Sequence, residues 1–127
     1  MNENNFGQFV KQNYINIETY RKSGEAVKTP VWFVEDGGAL YTSTGARSGK
    51  VKRLQRNPAV KIVPCSMKGD PRGTWMNANA EVVNDQTQMS RVESLMKKKY
   101  GLQITLFGLF RRGDTAGRAT VKIQITK

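Results

Sequence analysis

The sequence predicts a mostly β domain: a small barrel, closed or partly open, of six antiparallel strands with helices covering its ends. Three observations predict it. Apolar and polar residues alternate in several separated segments, the period of a strand with one buried face. Turns rich in glycine and aspartate lie between them. A chain of 127 residues has the length of one domain with a core of its own, taken here as 1–127.

The elements follow in chain order. Phe6, Phe9 and Val10 are spaced three and four apart, which predicts a short amphipathic helix over residues 5–12. From Tyr14 to Tyr20, Ile15 and Ile17 alternate with Asn16 and Glu18, the pattern of a first strand. Residues 31–35 and 39–44 are rich in β-formers and flank Asp36, Gly37 and Gly38, which tolerate the backbone of a tight hairpin turn. They predict strands two and three. Residues 59–65, with Val60 and Ile62 on one face, and 75–83, with Met76, Ala78, Ala80 and Val82 alternating, predict strands four and five. Between them Gly69, Asp70, Pro71 and Gly73 mark a loop. Asp85 and Gln88 have capping-box spacing, and Met89, Val92, Met96 and Tyr100 repeat at helical intervals before Gly101. Residues 102–110 are apolar and fit helix or strand. Ala119, Val121, Ile123 and Ile125 alternate in a sixth strand.

Composition narrows the chemistry. There is no histidine, which removes the commonest general base, the usual nucleophile triads and most catalytic zinc arrangements. The single cysteine, Cys65, has no partner for a disulfide or a metal site, and no metal is expected. Chemistry therefore falls to something bound, and no catalytic residue is singled out. The formal charge of +11 favours an anionic partner. No apolar run reaches the length of a membrane span, and the N-terminus lacks the basic and apolar sections of a secretory signal, so a cytoplasmic location is expected. A nucleic-acid-binding barrel would interleave aromatic and basic residues on its strands. Here the basic residues gather on one helix and on loops, so no nucleic acid is expected.

The segment from Thr42 to Pro58 carries the strongest signal. Ser48 is placed to cap a short helix with Val51 and Leu54 on its apolar face, ended by Asn57 and Pro58. The free N–H groups of such a helix start, nearby hydroxyls, and Lys50 and Arg53 three apart on one face would suit a phosphate or similar anion. The alternative is a solvated basic connecting helix. The Gly-Lys pair is not a P-loop, because the glycine spacing ahead of it is missing.

The chain resembles the pyridoxamine-phosphate-oxidase-like, FMN-binding split barrels, and especially their branch of coenzyme F420 (deazaflavin)-dependent oxidoreductases. The residues that carry the resemblance are Thr29-Pro30-Val31-Trp32-Phe33, Leu40-Tyr41-Thr42, Ser48 through Leu54, Asn57-Pro58, Gly73-Thr74-Trp75 and Ala80-Glu81-Val82, in the family's order. The resemblance implies a homodimer with cofactor at the subunit interface. Thr29, Pro30, Val31 and Trp32 would form the ring-side strand, and Thr42, Ser48, Gly49, Lys50 and Arg53 the phosphate end. Trp75 would line the pocket of the partner, or else pack in the barrel. The implied cofactor is coenzyme F420, with FMN as the alternative, and the implied activity is hydride transfer to a small organic acceptor. The family also holds members that carry flavin or haem without turnover. Gln55 interrupts the basic run that deazaflavin relatives often continue. Solvent, Tyr41, Lys28 or a carboxylate would be the available proton sources, and the sequence singles out none of them. Lys68 and Arg72 on the loop before strand five would reach a cofactor tail or else be solvated, and Lys97 to Lys99, Arg111 and Arg112 read as surface charges.

Overall fold

The computed structural model describes residues 7–45, 48–101 and 118–126. The expected positions Phe6, 102–110, Arg111 and Arg112 lie outside the described residues. Seven strands form one antiparallel sheet: β1 (Tyr14–Tyr20), β2 (Ala26–Val31), β3 (Val34–Asp36), β4 (Ala39–Gly45), β5 (Ala59–Cys65), β6 (Met76–Val83) and β7 (Arg118–Ile125). Helix α1 (Gly49–Arg56) joins β4 to β5, and α2 (Gln86–Tyr100) follows β6. The order across the sheet is β2-β1-β5-β6-β7-β4-β3.

The two edge strands, β2 and β3, are consecutive in the chain and separated only by Trp32 and Phe33. Three peptide links span at most about 11 Å. The sheet must therefore curl until its edges nearly meet, which makes a barrel split along one seam. The split-barrel expectation holds, but with seven described strands where the sequence predicted six.

The extra strand comes from a break in the segment 31–35. Residues 26–31 pair with β1, from Tyr20↔Ala26 to Ile15↔Val31, while residues 34–36 pair with β4. Periodicity missed β2 because Lys28, Thr29 and Pro30 do not alternate and proline supplies no ladder N–H. An edge strand tolerates that. The chain bends at Trp32-Phe33, where the Thr42 hydroxyl donates to the Trp32 carbonyl at 2.6 Å and the Phe33 N–H donates to the Tyr100 hydroxyl at 3.0 Å.

Two apolar clusters follow from the strand period. Ile15, Ile17, Leu40, Val60, Ile62, Ala78, Ala80, Val121 and Ile123 pack inside the barrel with Phe9, Phe33 and, from α1, Leu54. The neighbours Ala39 and Tyr41 face the other way and pack with Val34 against Val92, Met96 and Tyr100 of α2. Helix α1 thus closes the barrel with Leu54, and α2 covers the outer face beside the seam. The N-terminal helix is reduced to one 3-10 turn, Gly7–Phe9, which buries Phe9 but leaves Val10 63% exposed. Asp85 caps α2 by accepting from the Thr87 N–H at 3.1 Å. The other residue of that expected capping box, Gln88, lies beside Asp36 and helps, after Arg91, to lower the affinity of that carboxyl for its proton.

Candidate functional site

A cavity of about 420 Å³ opens at the seam, lined by Tyr14, Thr29, Pro30, Val31, Trp32, Ser43, Thr44, Lys50, Met67 and Met96. Four consecutive residues share one wall. Since neighbouring side chains of a strand point to opposite faces, the run Thr29 to Val31 is reached only along the strand's edge, and Trp32 follows it at the bend. Strand β2 is such an edge, bonded to β1 alone. The wall therefore combines backbone with the side chains of Thr29, Pro30, Val31 and Trp32. Tyr14 and Trp32 contribute aromatic surface, their ring centroids 6.5 Å apart. The volume falls in the usual range for small-molecule pockets, and apolar walls with a few polar groups are their usual composition.

The polar end is built by α1. Ser48 has extended backbone and its hydroxyl accepts from the Val51 N–H at 3.3 Å, so it caps the helix as its sequence position predicts. Thr44 Oγ1 lies 3.5 Å from Ser48 Oγ. One residue into the helix, Lys50 reaches the cavity and is only 8% exposed. Among the described residues lining the cavity it is the one that carries a charge.

Arg53 turns elsewhere. Its Nε donates to Thr19 Oγ1 at 2.7 Å, and its guanidinium folds back over the helix start. A Cβ on Gly49 would meet Arg53 Nη1 at 2.9 Å, so glycine at that position gives the guanidinium its room. Burial, and then the like charges of Arg21 and Arg56, lower the affinity of Arg53 for its proton.

Of the ten residues expected to hold a cofactor, the structure brings Thr29, Pro30, Val31, Trp32 and Lys50 to one cavity. Ser48 and Gly49 shape the helix start beside it. Thr42 is fully buried and serves as a strut to Trp32. Trp75 lies just outside β6, with the Lys28 ammonium 5.4 Å from its ring centroid, and is not among the cavity residues. Tyr41 and Lys28 do not line this cavity either. Tyr41 borders a separate polar groove with Glu81, Asp85 and Lys122.

Sequence reasoning missed Tyr14, Ser43, Thr44, Met67 and Met96 as lining residues. Tyr14 and Met96 were legible only as strand and helix positions. Met67 is 64% exposed on a loop without periodicity. Its loop is held by the Asn16 Nδ2 donating to the Gly69 carbonyl at 2.9 Å, and by Ser66 Oγ accepting from the Lys68 and Asp70 N–H groups at 3.2 and 3.1 Å. Gly69 takes φ +97° there, a conformation that favours glycine.

Lys97 to Lys99 are exposed, as expected, but the ammonium end of Lys99 turns inward. Lys99 Nζ donates to the Phe33 carbonyl at 2.8 Å and sits 3.7 Å from the Phe33 ring centroid. Burial pushes its pKa down to about 8.

The sequence profile of the pyridoxamine 5'-phosphate oxidase family matches residues 4–127, and the chain belongs to that family. A search of curated proteins finds no match. Among solved structures, an F420 reductase is 18% identical, with 100% of this chain and 97% of that one covered and a TM-score of 0.66. The haem storage protein HutZ of Vibrio cholerae is 16% identical over 92% of this chain and 84% of its own, with a TM-score of 0.70. An FAD-binding protein of Mesorhizobium loti is 13% identical over 95% and 84%, with a TM-score of 0.64. At these identities the likeness shows a shared fold. Among the described residues no helix is long and apolar enough to cross a membrane, and no group of three His, Cys, Asp or Glu is placed to hold a metal.

Proposed function

We propose that the chain is an oxidoreductase that seats a flavin-type ring in the seam cavity and works as a homodimer, with coenzyme F420 as its cofactor and FMN as the alternative. The carrying observation is the cavity itself: an edge-strand wall at Thr29 to Trp32 ending at the nearly buried Lys50. Both cofactors join an apolar ring to an anionic tail. The donor set fits that division, with Tyr14, Trp32, Pro30 and Met96 toward the ring and Lys50, Thr44 and the start of α1 toward the anion. The family is a flavin-binding one that includes oxidoreductases.

When bound, either ring supplies two-electron transfer to an acceptor. The chain's own residues bind, orient and shield it. The β2 edge offers backbone N–H and C=O groups to the ring's polar rim, except at Pro30, which has no N–H. Lys50 would hold the anionic tail through its ammonium group. Among the described lining residues Tyr14 carries the phenolic hydroxyl that would be available as a proton donor to an acceptor. Haem carriage, suggested by the likeness to HutZ, is less well served, because the chain has no histidine to act as an axial ligand.

The test is equilibrium titration with coenzyme F420 and with FMN, followed by absorbance and fluorescence, alongside sedimentation of the same samples. Lys50→Ala should weaken whichever cofactor binds by tenfold or more, while Lys98→Ala, on exposed α2, should not. Binding of neither cofactor by the wild-type protein would refute the assignment.

A further inference from the structure

We infer that Tyr100, which does not line the cavity, is a positioning residue that sets the aromatic wall formed by Trp32 and Tyr14. The inference rests on the functional reading above only for the identity of the ligand. Tyr100 closes α2 and is 6% exposed. Its ring stacks on Trp32 with centroids 4.4 Å apart and planes 5° from parallel. The hydroxyl lies 2.8 Å from the Asn13 carbonyl, 2.8 Å from the Phe33 carbonyl and 3.0 Å from the Phe33 nitrogen. Asn13 immediately precedes Tyr14, and Phe33 immediately follows Trp32. One side chain is therefore tied to the backbone beside both aromatic residues of the cavity.

The protons can be assigned. A phenol has one O–H, so it cannot fully serve two carbonyls at once. Lys99 Nζ covers the Phe33 carbonyl from 2.8 Å, which leaves the Tyr100 proton for Asn13. The Phe33 N–H then fills an acceptor position on the hydroxyl. This arrangement joins the start of β1, the β2–β3 bend and the end of α2 at one buried atom. Burial also pushes the phenol's pKa well up, so the hydroxyl keeps its proton across the working range.

A side chain that only filled the second core would be matched by its neighbours there. Tyr41, buried in the same cluster, provides that comparison, since it does not line the seam cavity. The experiment uses the full chain with Trp75→Phe as background, leaving Trp32 as the only tryptophan. Acrylamide quenching of Trp32 and the affinities for FMN and coenzyme F420 are measured for Tyr100→Phe and Tyr41→Phe, with far-UV circular dichroism to confirm folding. Tyr100→Phe keeps the stacked ring and loses the hydroxyl. It should raise the quenching constant at least twofold and weaken cofactor binding tenfold or more, with Tyr41→Phe within twofold of background on both. If Tyr100→Phe does not fold, Lys99→Met, which removes the ammonium that covers the Phe33 carbonyl and ring, should shift both readouts the same way by twofold or more. Unchanged quenching in the folded Tyr100 or Lys99 variant, or equal changes in Tyr41→Phe, would overturn the inference. If the wild-type protein binds neither cofactor yet quenching responds as stated, the cofactor assignment falls and the positioning role stands.

Discussion

Replacing Thr42 by valine isolates the strut that holds the seam. The residue is fully buried, and its hydroxyl donates to the Trp32 carbonyl at 2.6 Å across the bend between the two sheet edges. Valine keeps the shape and removes the donor. A buried hydrogen bond contributes about 1 kcal/mol net, and leaving its acceptor without that donor raises the cost to about 1–3 kcal/mol. For a domain of this size each kcal/mol lowers the midpoint of thermal unfolding by roughly 3–5 °C, so a fall of about 5–10 °C is expected near the middle of that range. The assay is thermal unfolding by circular dichroism at one fixed protein concentration, because self-association makes a midpoint depend on concentration. Thr42→Ser restores the donor and loses only a methyl group, so it should fall between valine and wild type. A Thr42→Val midpoint within 1 °C of wild type would refute the strut. So would a Thr42→Ser protein less stable than the valine variant.

Three further outcomes follow from the same geometry. Ser48→Ala should cost about 1 kcal/mol by removing the cap of α1, measured by urea unfolding, with Ser48→Asp recovering most of it. Ile17→Ala, at a site with no exposed surface, should cost about 2–5 kcal/mol in the same assay, the range for truncating a packed aliphatic core residue. Lys99 carries a pH dependence. Its pKa is about 8 when folded against 10.5 ordinarily, so between those values the unfolded chain binds more protons and stability rises with pH. Unfolding midpoints of wild type relative to Lys99→Met should therefore rise from pH 8 to pH 10; a flat or falling difference would show that the ammonium is not desolvated.

Most of the β architecture was legible because it depends on a period of two. Alternation located β1, β5, β6 and β7, and the Asp36-Gly37-Gly38 turn located the β3–β4 hairpin, since local sterics and one-sided burial both act within a few residues. The division at Trp32-Phe33 was not legible. It arises from Thr42 and Tyr100, 10 and 67 residues away from their partners, and no local pattern reports such contacts. The same holds for β2, whose place at the edge of the sheet makes Pro30 acceptable.

The sequence by itself determined an antiparallel barrel and a capped basic helix after β4, because these rest on periodicity and capping. Tertiary structure alone decided which residues meet. It put Lys50 into the cavity but folded Arg53 onto Thr19, made Thr42 a strut, and added Tyr14, Met67 and Met96 to the lining. The physical reason is that the cavity lies at a seam between the two ends of a curled sheet. Its walls come from segments distant along the chain, and only the packing of α1 and α2 against that seam fixes which side chains face it.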